Sequence, residues 1–180
     1  MKIRITKFSR TGAIIAIIFI TIMIISSLVT RSDTDLYSGL NKRNFSIDSL
    51  TEEQMLKITT FGSTTFLRER ASGNRSGISG SDYKEKDYDN TYFRVKKATG
   101  IEIINATKAT DSTVNLKIDF TVSSGNAKLI IVMDESVILE EFEPNQPIDF
   151  TYESVGTHTF VVKLLSEKAK VEIEVNRTIT

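Results

Sequence analysis

Strict alternation of apolar and polar residues marks the segment 114–122. A period of two places one set of side chains on each face of a β-strand. The pattern therefore predicts a strand with one buried and one solvent-exposed face, in which Phe120 is buried and Asp119 is exposed. The apolar positions of this segment are Val114, Leu116, Ile118, Phe120 and Val122.

Short segments of similar character recur between residues 91 and 177. Between two of them, Ser123-Ser124-Gly125-Asn126 predicts a hairpin turn. Because no helical pattern separates the segments, we expect antiparallel pairing. One apolar face per strand predicts two packed sheets, forming a single antiparallel β-sandwich of about 7–8 strands over 91–177. The candidate strands are 92–96, 101–106, 114–122, 127–133, 137–142, 148–152, 158–164 and 169–175.

Residues 31–90 are more polar, and we expect them to form a tether. Within it, Thr51 can cap a helix and Gln54 can return the hydrogen bond. β-Branched and aromatic residues follow, which favour a strand. We expect a short helix and then a strand over 51–70, although the sequence leaves helix or strand open there. Residues 72–82 are rich in Gly and Ser, which indicates a flexible loop.

A stretch of 20 uncharged residues, 11–30, precedes the tether. As a helix it would be about 30 Å long, the thickness of the hydrocarbon core of a lipid bilayer. Four cations and no acidic residue precede it, so 1–10 is expected to be a basic cytoplasmic tail and 31–180 to lie outside the cytoplasm. We expect residues 11–30 to act as a transmembrane signal-anchor. The four cations are Lys2, Arg4, Lys7 and Arg10.

The alternative to an anchor is a cleaved signal peptide, which would release the rest of the chain as a secreted protein. Signal peptidase requires small residues at the first and third positions before the cut. The best cut, after Ser27, places Ile25 at the third position. The uncleaved anchor is therefore favoured.

Composition limits the chemistry that the chain can perform. Its 180 residues include 23 basic and 23 acidic residues, one His and no Cys. The balanced charge argues against a nucleic-acid partner. The absence of Cys excludes disulfides, thiolate metal sites and a cysteine nucleophile. We therefore expect no cofactor, no metal site and no enzymatic activity.

His158 is the one side chain that ordinarily titrates near neutral pH. It follows a glycine turn and shares its strand face with Phe160 and Val162. That position predicts a neutral, partly buried ring with a structural role. A general base would need an oriented partner and a nucleophile, and the sequence indicates neither.

Tyr83, Tyr88 and Tyr92 form the candidate recognition surface, because tyrosine offers apolar area with a polar tip. The alternative is that some of these rings face the core. Acidic residues lie among them, and Asp87-x-Asp89 offers the oxygen ligands that Ca²⁺ prefers. The glycine and the distant glutamate of an EF-hand loop are missing, so a solvated charged surface is expected instead.

Two segments within residues 88–175 carry a family resemblance: TVNLKIDFTVSSGNAKLIIVMD and VGTHTFVVKLLSEKAKVEIEV. They resemble small extracytoplasmic β-sandwich domains of uncharacterised Gram-positive bacterial membrane proteins and lipoproteins. Gly156 and Phe160 match the ends of a glycine–x–aromatic–x–hydrophobic motif, Ala169 matches a small residue before the closing strand, and His158 departs from the aromatic position. The resemblance implies a fold and a compartment but no activity. The chain lacks a lipobox cysteine, and the apolar helix would anchor it instead.

These patterns predict a membrane-anchored, extracytoplasmic interaction or accessory module at the cell envelope. Its expected partners are the lipid bilayer, through residues 11–30, and an envelope protein. The alternative is a subunit of an envelope secretion, conjugation or pilus-like assembly. An enzyme is the third hypothesis, and the residue content disfavours it.

Overall fold

The computed structural model describes residues 36–78 and 83–180, apart from the side chains of Phe66 and Leu67. The chain divides into two compact units, Met1–Gly39 and Leu40–Thr180, and the second contains every strand found among the described residues. Across the described ranges, no helix combines the length and apolar character needed to span a membrane. The expected tail 1–10 and signal-anchor 11–30 lie outside the described residues.

One antiparallel sheet of six strands forms the frame of the second unit. Hydrogen bonds join the strands in the order β1-β2-β6-β3-β4, and β5 also pairs with β3. The prediction of a mainly β chain with antiparallel pairing is confirmed, but the expected two separate sheets are one continuous sheet. The strands are β1 (Phe61–Ser72), β2 (Asn90–Thr110), β3 (Thr113–Met133), β4 (Val137–Phe142), β5 (Gln146–Glu153) and β6 (Thr157–Ile179).

Three breaks between the expected short strands are bends inside long strands. β2, β3 and β6 contain 21, 21 and 23 residues, and each joins two of the expected segments. The prediction of a hairpin turn at 123–126 is wrong, because β3 pairs with β6 on both sides of it. Register shifts occur at 95–100 of β2 and at 122–126 of β3, and both lie opposite the same part of β6, residues 166–171. Such bulges bend a sheet locally.

Two glycines allow the strands to approach one another at this bend. Gly125 has φ +78°, and a Cβ built on it would lie 2.6 Å from the Cα of Ala169. Gly100 has φ +125°, and its Cβ would lie 1.8 Å from the carbonyl oxygen of Phe61. A residue with a side chain would be strained at either position and would collide with the neighbouring strand.

The bend gathers apolar side chains from both ends of the long strands into one core. Phe120 from the first half of β3 and Phe160 from the first half of β6 are each 1% exposed and belong to the same cluster. Tyr152 of β5 packs against Phe160, with ring centroids 5.3 Å apart. The predicted alternation is confirmed, since Phe120 is buried and Asp119 is exposed.

The segment 45–58 packs against β6 and includes the helix α1 (Glu52–Lys57). The predicted capping box is present: the Thr51 hydroxyl accepts from the Gln54 amide, and the Gln54 side chain accepts from the Thr51 amide. A helix followed by β1 is the order expected for 51–70. The structure differs from the predicted tether over 31–90, because the compact unit begins at Leu40.

Lys163 joins this segment to the sheet. Its side chain is fully buried, and its ammonium donates to the carbonyl oxygens of Met55, Leu56 and Ile58, the last at 3.0 Å. The unpaired carbonyls at the end of α1 thereby gain a donor. Burial lowers the pKa of Lys163 to about 8, even though the charge of Glu135 favours the protonated form.

The lowered pKa of Lys163 predicts an alkaline rise in stability. Between about pH 8 and 10.5 the unfolded chain binds more protons than the folded one, so the free energy of unfolding should rise by up to about 3 kcal/mol across that range. Urea unfolding at several pH values should show the rise in the wild type and in a Lys117→Met control, an exposed lysine. It should be absent from Lys163→Met, and an equal rise in that variant would contradict the prediction.

Candidate functional site

Three neighbouring strands bring polar groups together at one end of the sheet. Lys108 of β2 lies opposite Thr159 of β6 in the strand register. On the other side of β6, the Asp134 amide donates to the Thr159 carbonyl at 2.9 Å, and the Thr159 amide donates to Asp134 Oδ1 at 2.7 Å. The residues therefore follow one another across the sheet in the order Lys108, Thr159, Asp134.

Apolar side chains form a floor beside this row. Ile78, Tyr83 and Val161 are buried in one small cluster, with Val161 two residues beyond Thr159 on β6. The floor and the polar row line a solvent-open cavity of about 320 Å³, which we call the Tyr83 cleft. Its lining residues are Ile78, Tyr83, Lys108, Asp134, Glu135, Thr159 and Val161.

The turn after β3 directs two carboxylates to the edge of the Tyr83 cleft. Asp134 and Glu135 have φ of +51° and +54°, a left-handed conformation that is unfavourable for residues other than glycine. The hydrogen bonds between Asp134 and Thr159 hold the turn in place. Glu135 accepts a hydrogen bond from the Tyr83 hydroxyl, which fixes its carboxylate beside the floor.

His158 is not among the residues that line the cleft, but it is hydrogen-bonded to one of them, Asp134. Its Nδ1 is 2.6 Å from Asp134 Oδ2, its Nε2 is 2.9 Å from the Val155 carbonyl oxygen, and its ring packs edge-on against Phe160. The predicted partial burial is confirmed, since the side chain is 29% exposed. The expected neutral state is not what the geometry favours, because both nitrogens face acceptors and both can donate only in the imidazolium.

The His158–Asp134 pair predicts a loss of stability as pH rises. Hydrogen bonds to Asp134 and to the Val155 carbonyl raise the pKa of His158 above its usual 6.5. The stabilisation is therefore complete below pH 6.5 and is lost as pH rises through the folded-state pKa. Thermal melts should show this fall in the wild type. It should be absent from His158→Gln and smaller in Asp134→Asn, which keeps the hydrogen bond to the Val155 carbonyl, and an undiminished fall in either variant would contradict the assignment.

Tyr83 and Tyr88, two of the candidate recognition residues, have different surroundings. Tyr83 is 5% exposed and belongs to the floor of the cleft. Tyr88 is half-buried, and the guanidinium of Arg75 lies 4.8 Å above its ring centroid. The alternative that some of these rings face inward thus describes Tyr83.

Tyr92, the third candidate, lines a different groove on the outer face of β1, β2 and β6. It is half-buried, and its hydroxyl donates to Glu172 at 2.8 Å. Arg70 lies 5.9 Å above its ring, and Arg68 is also exposed in the groove, whose volume is about 560 Å³. The recognition role of the three tyrosines stays a prediction: Tyr83 and Tyr92 line two different depressions, and Tyr88 is not among the lining residues of either.

A buried ionic cluster uses the acidic residues that had suggested calcium ligands. Arg177 donates to Asp87 at 2.7 Å and to Asp89 at 2.9 Å, and the side chains of Arg177 and Asp87 are each 1% exposed. Asp87 also accepts from the amides of Ser76 and Gly77, so it fixes the backbone at these two residues of the Gly/Ser loop. In the described ranges, no group of three or more His, Asp or Glu side chains is arranged to hold a metal ion.

Hydrogen bonding sets the charge state of both acids. Burial alone would raise the pKa of Asp87, but donors from Ser76, Arg177 and Gly77 outweigh burial and lower it. The hydrogen bond from Arg177 is the main cause of the lowered pKa of Asp89. Both carboxylates are therefore held ionised beside the guanidinium, which is a structural arrangement.

Sequence reasoning did not identify Lys108, Thr159 or Arg177. Lys108 and Thr159 carry no sequence signal, since their proximity to Asp134 depends on strand register. Arg177 carries one, because it continues the buried alternation of Val171, Ile173 and Val175. A charged residue at an apolar position of a strand indicates a buried partner.

Comparisons with known proteins found little similarity. A scan against protein-family models and a comparison with curated proteins gave no match. Among solved structures, the secreted serine protease VesC from Vibrio cholerae is similar over 65% of this chain and 25% of that chain, with 9% sequence identity and a TM-score of 0.42. The chain thus corresponds to about a quarter of the protease's length, and so distant a likeness carries no argument about its fold or activity.

Proposed function

We propose that the chain is a membrane-anchored, extracytoplasmic binding module of the cell envelope. The observation that carries the binding role is the Tyr83 cleft, where charged groups converge over a buried apolar floor. Ligand sites commonly combine an apolar lining with a few polar groups that orient the ligand. The anchoring role rests on the 20 uncharged residues at 11–30 and the four cations before them.

The contacts of His158 favour binding over catalysis. A general base needs a ring nitrogen with a free lone pair directed at the substrate. Both nitrogens of His158 are engaged, one with Asp134 and one with Val155. The pair instead supports the rim of the cleft, so we propose a module without enzymatic activity.

A fusion experiment tests the proposed topology. A reporter that is active only in the cytoplasm, joined after Thr180, should give no signal, because the cations before the span hold the amino end inside. The same reporter joined after Arg10, before the span, should give a strong signal. A strong signal from the Thr180 fusion would overturn the topology.

A purification experiment separates the module from the alternative, a subunit of a secretion, conjugation or pilus-like assembly. The full chain is extracted from membranes in mild detergent, and the molar ratio of co-purifying proteins is measured. A single chain, or one with substoichiometric partners, supports the module. A stable complex of fixed stoichiometry supports the assembly subunit.

A further inference from the structure

We propose that the Tyr83 cleft binds a short zwitterionic peptide, with its ammonium group at Glu135 and its carboxylate at Lys108. The inference rests on the proposed binding function and names the ligand class. It follows from three features of the cleft: an anionic side, a cationic side and an apolar floor between them.

Glu135 forms the anionic side. One of its carboxylate oxygens accepts from the Tyr83 hydroxyl, and the other has no hydrogen bond within the described residues. In contrast, both carboxylate oxygens of Asp134 are hydrogen-bonded, one to the Thr159 amide and the other to His158. Glu135 is exposed at the rim of the cleft. An ammonium group there would meet an exposed carboxylate, which attracts cations.

Two lysines near Glu135, Lys57 and Lys163, are engaged elsewhere. The charge of Glu135 acts on both Lys57 and Lys163. Lys57 pairs with Glu53 at 2.7 Å, and Lys163 donates to main-chain oxygens at the end of α1. Neither forms an ion pair with Glu135 within the described residues, so its carboxylate stays available to a ligand.

Lys108 forms the cationic side. Its amide donates to the Ser76 hydroxyl at 2.7 Å, which fixes the backbone, while its ammonium has no hydrogen bond or ion pair within the described residues. Lys108 and Asp134 are separated by β6, so their backbones lie about 10 Å apart. The Lys108 and Glu135 side chains can shorten that gap to the length of an extended dipeptide, about 7 Å.

The charges and the floor together select the ligand. A purely anionic ligand would be repelled by Asp134 and Glu135, and a purely cationic one by Lys108. A zwitterion satisfies both sides. The floor of Ile78 and Val161 suits small aliphatic side chains, and a cavity of about 320 Å³ is large enough for a dipeptide.

The test uses the full chain, isotope-labelled in detergent micelles, and L-alanyl-L-alanine as the probe. Amide resonances of Thr159 and Val161 should shift saturably, with a dissociation constant of roughly 1 mM or tighter for so small a ligand. The N-acetylated dipeptide keeps only the negative charge and the dipeptide amide only the positive one. Each blocked form should bind at least about tenfold more weakly, since each loses one charged contact.

Protein variants test the same two contacts by removing the charged group of the protein instead of that of the ligand. Glu135→Gln keeps an acceptor for Tyr83, and Lys108→Met keeps the apolar part of the side chain. Each should weaken dipeptide binding at least about tenfold, because each removes one charge. Lys128→Met, which removes a lysine paired with Glu141 at 2.8 Å outside the cleft, should bind as the wild type does.

Three results would overturn the zwitterion proposal. These are no saturable shift in the folded wild type, equal binding of the blocked dipeptides, and unchanged binding by the Lys108 and Glu135 variants. None of them alters the reporter or purification results, which test the proposed module without using a dipeptide. Failure of the ligand class is therefore distinguishable from failure of the proposed function.

Discussion

An Arg177→Met variant is expected to lose about 3–5 kcal/mol of its free energy of unfolding at neutral pH, the range found when one partner of a buried ion pair is removed. The Asp87 carboxylate would remain almost fully buried without its cation. Thr107 and Asn74, which also accept from the guanidinium, would lose a donor. Urea unfolding followed by far-ultraviolet circular dichroism measures the loss.

The matched control for this variant is Arg94→Met. Arg94 also pairs with an acid, Glu172 at 3.4 Å, but both side chains are 47% exposed. Solvent screening makes such a pair worth no more than about 1 kcal/mol. Similar losses in the two variants would show that the Arg177 cluster does not stabilise the fold as a buried pair.

The same cluster predicts that the stability difference between the wild type and Arg177→Met depends on pH in acid. The lowered pKa values of Asp87 and Asp89 mean that their stabilisation is present above the unfolded-state value, about 3.9, and is lost as pH falls through the folded-state values. Arg177→Met removes the cation that contributes to both lowered values. The difference in free energy of unfolding between the wild type and Arg177→Met should therefore become smaller as pH falls. A difference that stays constant with pH would contradict the mechanism.

Phe120→Ala is expected to cost about 3–5 kcal/mol, the range for removing a buried phenylalanine from a core. Phe120 is 1% exposed and lies opposite Ile173 of β6, within the core that joins both halves of the bent sheet. The cavity left behind cannot close easily, because three long strands fix the surrounding side chains.

Asp119→Ala is the control on the opposite face of β3. Asp119 is exposed and lies opposite Glu174, so its removal relieves a like-charge contact and should change stability by no more than about 0.5 kcal/mol. Urea unfolding measures the loss of stability in both variants. Equal losses would mean that the assigned register of β3 is wrong.

Much of the fold follows from local sequence pattern. The period of two around Phe120 identified a strand and its buried face, and the Thr51–Gln54 capping box identified the start of α1. Both depend on contacts within a few residues, which sequence spacing specifies. The glycine positions were also visible in the sequence, but their effect was misjudged: Gly125 indicated a hairpin and lies in a bend.

The sequence by itself determined a mainly β chain with antiparallel strands, because alternation and turn residues act locally. Only the tertiary structure decided that six strands form one folded sheet, that Tyr83 is buried, and that Asp87 pairs with Arg177. It also brought Lys108 beside Thr159 and Asp134 in the cleft. Each of these features joins residues distant in the chain, and strand register and the shared bend decide which of them meet.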